Sequence, residues 1–543
     1  MEESSKRFRT LFAFDRQKVI TRELVCLKKN LILLFSLILG IAILVYSWNS
    51  SYPLSISTSL DEFVYNNIST VYWLGLPLTL VSLYLINLYV KNQTLKWLLT
   101  VCLVMTMVSL SYFYSMLPGS DSRYFRGLTE AFINTDNPAN LKLRDLYFEW
   151  PNFLILSKIT TAVSGLNVFH YEFFTYTVIG FLLITALYSY FFKSQKKLVL
   201  IAVTAYFIIN YYFLNFQYAP FSLAFSLLLV LFAFENSKAN SPEAAIIKVI
   251  LFTGITLTHA FVPLFYILFL LVLYMLNRNK NTLYLFMLTA TIFSAWQLFQ
   301  ASLSFARNIE FFFETSSEYS TKVAGSLAAS TVSLDVIAQT FSRFVVIATS
   351  IVCVIGFVAL LVKKKLNITD KAIFISGLVY SLLGAVFYLL GSRAYSIVFI
   401  PLSLGASYLF RSRYKKYLKC LFFVLLILFL AIPLHLSFYD KDIHFQTTEA
   451  YTAENFFLDN YNGTVRNLIL SNYRVYTYLR PKINGSAYFT YNPLDFNETD
   501  VIVYTVGLGR DLLKQNYTIE EILSDERMNL IYSNGISSVA IRR

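Results

Sequence analysis

The chain has 543 residues, of which 56% are hydrophobic and only 14% charged, with a formal net charge of +13. Soluble domains carry about 25% charged residues, so this composition excludes a water-soluble globular protein. Much of the basic surplus lies in short loops between apolar runs, where it sets topology and does not argue for a nucleic-acid partner.

In chain order, residues 1–30 carry Lys6, Arg7, Arg9, Arg16, Lys18, Arg22, Lys28 and Lys29 and are expected to stay in the cytoplasm. Apolar runs follow at 31–48, 71–90, 98–117, 171–192, 198–214, 221–235, 246–258, 261–277, 282–303, 342–362, 372–391, 396–410 and 420–436. Lipid offers the backbone no hydrogen-bond partners, so each run predicts a helix, about thirteen in all by the bilayer-length criterion. The fold class is therefore a polytopic α-helical membrane protein, with a transmembrane region over 31–436. Expected inner loops carry Lys91 and Lys96, Lys193 to Lys197, Arg278 and Lys280, Lys363 to Lys365, and Arg411 to Lys419. An odd number of crossings leaves residues 437–543 outside the plasma membrane. Asn-x-Ser/Thr sequons at Asn462, Asn484, Asn497 and Asn516 cluster there. Cys26, Cys102, Cys353 and Cys420 show no metal-type spacing and no disulfide framework.

Two outer loops are long enough to hold structure, 118–170 and 304–341. In the first, 122–132 reads as a short helix. Trp150-Pro151 opens an interfacial or re-entrant helix over 152–163, with Trp150 at headgroup depth. Residues 437–543 read as a small α/β domain. Strands are expected around 468–470, 487–489 and 501–504, a helix over 518–527, and a hairpin over 530–541 about Asn534-Gly535.

The leading functional residue is Asp121, in Leu117-Pro118-Gly119-Ser120-Asp121-Ser122-Arg123-Tyr124, at the mouth of the 98–117 span. Transfer to a hydroxyl needs a base to accept its proton, and a leaving phosphate needs positive charge. Capping of the following helix is the structural alternative for Asp121. Asp145 and Glu149 stand i,i+4 and could add a metal ligand, or be solvated. His259, in Thr258-His259-Ala260-Phe261-Val262-Pro263, either binds a phosphate or is a helix-break histidine bonded to a freed carbonyl. Arg393, in Gly391-Ser392-Arg393-Ala394-Tyr395, sits at an outer turn against the positive-inside bias and suits a lipid phosphate, with snorkelling as its alternative. Gln217-Tyr218-Ala219-Pro220 marks another outer turn, which could line the same cavity or be turn chemistry alone.

These motifs resemble the GT-C superfamily of membrane glycosyltransferases, which includes oligosaccharyltransferase catalytic subunits and protein O-mannosyltransferases, and microbial members in particular. The resemblance covers roughly 98–436 and rests on Gly119-Ser120-Asp121-Ser122-Arg123-Tyr124, Glu149-Trp150-Pro151, Thr258-His259-Ala260-Phe261-Val262-Pro263 and Arg393-Ala394-Tyr395. It implies an enzyme that takes a sugar from a polyprenyl-phosphate donor and passes it to a glycan, lipid or protein at the outer face. Asp121 would be the catalytic or metal-binding acid, with Asp145 and Glu149 completing a divalent-cation site for Mg or Mn. Arg123, Tyr124, His259 and Arg393 would contact substrate, and Glu318, in Thr315-Ser316-Ser317-Glu318, resembles the late-loop acid of oligosaccharyltransferases. The chain departs from the family at Asn215-Phe216-Gln217-Tyr218, where a second acidic motif would stand. It also lacks a Trp-Trp-Asp motif in 437–543. A transporter or flippase of lipid-linked glycans is the competing class, but its charges would lie on broken helices at the midplane, often with internal repeats. A non-catalytic scaffold on the same fold is the third.

Overall fold

A computed structural model describes residues 31–50, 69–109, 120–133, 146–195, 198–210, 218–236, 241–302, 334–387, 395–410, 456, 465–470, 485–489, 501–505, 528–533 and 537–542. Among them, five helices are long and apolar enough to cross a membrane: Leu31–Ser50, Tyr72–Tyr89, His170–Lys193, Lys280–Gln300 and Phe344–Val362. Shorter apolar helices stand at Gln93–Met107, Val199–Ile209, Pro220–Asn236, Val262–Asn277 and Ser396–Leu409. The protein is a helical membrane protein. The expected crossing at 420–436 lies outside the described residues, as do residues 1–30 and the loop 304–333.

The chain divides into two compact units. One takes Met1–Ser51 with Ile68–Val108, the other Tyr52–Asn67 with Ser109–Arg543. In the first, α1 (Leu31–Ser50) packs on α2 (Tyr72–Tyr89) through glycines. A Cβ at Gly40 would collide with Thr79, and one at Gly75 would meet Ile43 at 2.6 Å. Small residues let membrane helices approach where no hydrophobic force draws them together. The turn into α3 (Gln93–Met107) is closed by Asn87, which donates to the Lys96 carbonyl (2.8 Å) and to Thr100 Oγ1 (3.0 Å).

The second unit opens with α4 (Ser120–Ile133), a 3-10 turn over Leu146–Glu149 and α5 (Asn152–Ser164). The last stops at Gly165, which adopts the left-handed conformation (φ 68°) that glycine reaches without strain. The bundle follows as α6 (Val168–Gln195), α7 (Val199–Ile209), α8 (Pro220–Asn236), α9 (Pro242–Thr258) and α10 (Val262–Asn277). Next comes α11 (Lys280–Ala295), which widens into a π-helical turn at Trp296–Gln300. Then follow α12 (Leu334–Val362), α13 (Ile368–Phe387) and α14 (Tyr395–Leu409). Every residue of α7 is buried, so this apolar helix is the centre of the bundle. By contrast, α12 leaves Phe344, Ile347, Ile351, Ile355, Val358 and Val362 exposed at helical spacing, the face a lipid-contacting helix presents.

One end of this bundle is basic. Lys363 and Lys365, just past α12, lie over the ring of Tyr408 near the end of α14, at 5.6 and 5.7 Å. Near the end of α6 the Tyr190 hydroxyl donates to Asp370, and its carbonyl accepts from Asn236 (2.9 Å). Asn367 donates to Asn236 (3.0 Å) and accepts from the Asp370 amide (2.6 Å), closing a polar belt across α6, α8 and α13.

Five strands form one sheet in the order β2-β1-β3-β5-β4: β1 Val465–Leu470, β2 Gly485–Phe489, β3 Val501–Thr505, β4 Met528–Ser533 and β5 Ser537–Arg542. β1 pairs in parallel with β2 and β3, whereas β5 pairs antiparallel with β3 and β4. The β4–β5 pairing is the expected hairpin; the turn residues and the helix expected over 518–527 lie outside the described residues.

Candidate functional site

The described part of the site is the face where α4 meets the starts of α5, α6 and α8. Polar residues at 122, 126, 129 and 130 of α4 repeat at i, i+4, i+7 and i+8, and so line one side of the helix. Arg126, 3% exposed, donates from Nε to Glu130 (3.0 Å) and from Nη1 to Glu172 of α6 (3.4 Å), itself 1% exposed. The Tyr218 amide, in the turn before α8, donates to Ser122 Oγ at 3.1 Å. Its hydroxyl is shared with Thr129 Oγ1 (2.8 Å) and Ser157 Oγ of α5 (3.2 Å). The seam is flanked by rings. Phe125 meets Tyr147 edge-on at 4.8 Å, and Phe153 packs on Tyr218 at 4.9 Å. Lys158 of α5 reaches the carbonyl of Phe132 (3.4 Å) and lies over its ring.

A second junction joins α5 to the α9–α10 break. Asn152 donates to Thr258 Oγ1 (2.7 Å) and to the Gly254 carbonyl (3.4 Å). The break is forced locally, because Pro263 in the first turn of α10 cannot continue a helix from α9. His259 is 8% exposed, and its Nδ1 accepts from the Phe261 amide at 3.1 Å. Gln297 reaches the Ala260 carbonyl (3.5 Å) and Tyr380 the Phe261 carbonyl (3.2 Å), while the histidine takes a freed N–H. With Nδ1 accepting, the neutral ring carries its proton on Nε2.

Asp121 lies inside the first turn of α4, which spans Ser120–Ile133 and so starts two residues before the expected 122. The side chains of Asp121 and Arg123 lie outside the described residues, as do Asp145, Glu318 and Arg393 altogether. Tyr124 is half-buried and touches the rings of Phe125 (5.2 Å) and Tyr147 (5.8 Å). Glu149 is buried, closing the 3-10 turn. Trp150 is buried in the protein at 4% exposure, with its ring packed edge-on toward Tyr147. The outward face of α5 is instead Ile155, Leu156, Ile159 and Val163.

Among the described residues no three His, Cys, Asp or Glu side chains gather as a metal site. Of the three carboxylates expected to hold a divalent cation, only the side chain of Glu149 is described. Sequence reasoning missed Arg126 with Glu172, and Lys248 with Glu235. The second pair is a buried ion pair at 2.9 Å between α8 and α9, with Tyr266 of α10 donating to Glu235 at 2.7 Å. Lys248 interrupting an apolar run was the available signal for the latter.

The site end and the basic end are opposite. Glu172 near the start of α6 and Tyr190 near its end stand about 27 Å apart at the α-helical rise of roughly 1.5 Å per residue. No family model matches the chain, and no curated protein matches it. The solved structure of ArnT from Cupriavidus metallidurans in the apo state is similar over 82% of this chain and 97% of that chain, at 12% identity and a TM-score of 0.47.

Proposed function

We propose that the chain is a GT-C-type membrane glycosyltransferase with about thirteen crossings, working at the outer face, with 437–543 as an extracytoplasmic α/β domain. It takes a sugar from a polyprenyl-phosphate donor and passes it to a glycan, lipid or protein hydroxyl. In this reaction the bond between the sugar C1 and the phosphate oxygen breaks and one from C1 to the acceptor oxygen forms. The acceptor proton passes to the Asp121 carboxylate, and polyprenyl phosphate leaves. Arg393 and His259 hold that phosphate; a proton on Nε2 makes the imidazole a donor to it. Arg123 and Tyr124 line the approach, and Glu318 comes in from the second outer loop.

The observation that carries the reading is the placement of Asp121. It stands in the first turn of α4, where a carboxylate is favoured by the helix dipole. That helix is bolted by buried polar contacts to the end of the bundle opposite the basic one. By the positive-inside bias, that end is the outer one. A divalent cation on Asp121, Asp145 and Glu149 would supply charge to the leaving phosphate.

The test uses full-length protein in nanodiscs, correctly inserted, with a panel of short-chain polyprenyl-phosphate hexoses and pentoses as donors. Release of polyprenyl phosphate is the readout. Asp121→Asn is expected to cut turnover by about 100-fold or more, the usual weight of a general base. Turnover equal to wild type would remove Asp121 from this role.

A further inference from the structure

We infer that Tyr218 is a positioning residue for Asp121. The inference rests on the proposed role of Asp121 and assigns a task to the Gln217-Tyr218-Ala219-Pro220 turn that turn chemistry alone does not require.

Tyr218 is fully buried and grips α4 at two places. Its amide donates to the hydroxyl of Ser122, the residue next to Asp121, at 3.1 Å. Its own hydroxyl meets Thr129 at 2.8 Å, two helical turns further on. One contact would leave a helix free to pivot about it. Two contacts about 10 Å apart along the axis fix its rotation and its advance together. The same hydroxyl reaches Ser157 of α5, and the ring stands perpendicular to Tyr171 of α6 at 6.0 Å. One side chain thus ties the loop helices α4 and α5 to the bundle through the turn that opens α8.

The phenol oxygen is separable from the fold. Without it, α4 keeps the Arg126–Glu172 pair and the Ser122 bond, and Ser157 keeps its bond to the Phe153 carbonyl (2.7 Å). What is lost is the second point of attachment. Misplacement of a reacting group by about 1 Å can cost on the order of 100-fold in rate, so a loosened α4 lowers turnover, while Arg393 and His259, which lie outside α4, still hold the donor phosphate.

The experiment compares wild type, Tyr218→Phe, Asp121→Asn and the double variant, full length in nanodiscs, on the same donor panel. Thr129→Val serves as a second variant that removes the same contact from the other side. Hydrogen exchange of peptides covering 118–128 is measured alongside. We expect Tyr218→Phe and Thr129→Val to lower kcat by roughly 10- to 100-fold with donor KM unchanged. Exchange at the start of α4 should quicken, and Tyr218→Phe should cost nothing further in the Asp121→Asn background. Wild-type kcat with wild-type exchange in Tyr218→Phe overturns the inference. So does a loss that multiplies with that of Asp121→Asn, since Tyr218 would then act elsewhere. Full turnover in Asp121→Asn removes the catalytic reading instead, and exchange at α4 still decides whether Tyr218 holds the helix.

Discussion

Arg126 shows how much one residue can carry in this chain. Its guanidinium is enclosed, and Glu130 and Glu172 supply its carboxylate partners. Replacing it takes the guanidinium from Glu172 in a place water does not reach, and breaking one side of a buried pair costs about 3–5 kcal/mol. Arg126→Met is therefore expected to destabilise the protein by that amount, read as a lowered midpoint of thermal unfolding in detergent. Arg126→Met with Glu172→Met should recover part of the loss, because the buried carboxylate is gone as well. Glu172→Gln should cost less than Arg126→Met, since the amide oxygen can still accept from the guanidinium. The arginine itself was visible in the sequence as a charge one helical turn from Ser122. Its partner was not, for Glu172 lies 46 residues away and looks like the solvated start of a span. Tyr218 is harder still: it reaches Ser122 from 96 residues off, and nothing local marks a tyrosine beside a proline as the clasp of another helix.

Elements were more legible than partners, because a run of apolar residues carries its own signal. The helices α2, α6, α8, α10 and α11 fall where the apolar runs placed them, and the β4–β5 hairpin follows from alternation about Asn534-Gly535. The helix α5, Asn152–Ser164, matches the expected 152–163 to within one residue. The contact of Trp150 with Tyr147 carried no signal, because an aromatic beside a proline gives no hint of the ring it packs toward. Helix crossings were invisible for a similar reason. In α12 and α14, Gly356 and Gly405 meet backbone to backbone, so that a Cβ on either would collide with the other helix, yet each glycine alone reads as an unremarkable residue in an apolar run. Gly405→Ala must push α14 away from α12, and its Cβ would strike the Cys353 carbonyl, which cannot give way as a side-chain tip could. Overpacking of this kind costs typically about 1–3 kcal/mol. The expected outcome is a lower unfolding midpoint in detergent for Gly405→Ala and for Gly356→Ala. The two losses should be far from additive in the double variant, since both act on one crossing.

At the scale of the whole molecule, function depends on which end of the second unit faces out. Lys193, Arg278, Lys280 and Lys363 to Lys365 all lie at the end where α6, α10 and α12 finish. Lys363 and Lys365 over Tyr408 bring the end of α14 there as well. Lysine and arginine near short loops are retained on the cytoplasmic side, so the end that carries Ser122, Asn152, Glu172 and His259, about 27 Å away along α6 at the α-helical rise, is expected to be the outer one. A donor phosphate can meet Asp121 only if the lipid headgroup is on that side. The prediction is tested with single cysteines placed in a cysteine-free background of the full chain and probed by a membrane-impermeant maleimide. Lys363→Cys should label only after permeabilisation, whereas Ser164→Cys, at the exposed end of α5, and Arg543→Cys should label in intact cells. If Ser164→Cys needs permeabilisation and Lys363→Cys does not, the seam faces the cytoplasm. The donor would then have to be a sugar presented on the inner leaflet, and the acceptor an intracellular one.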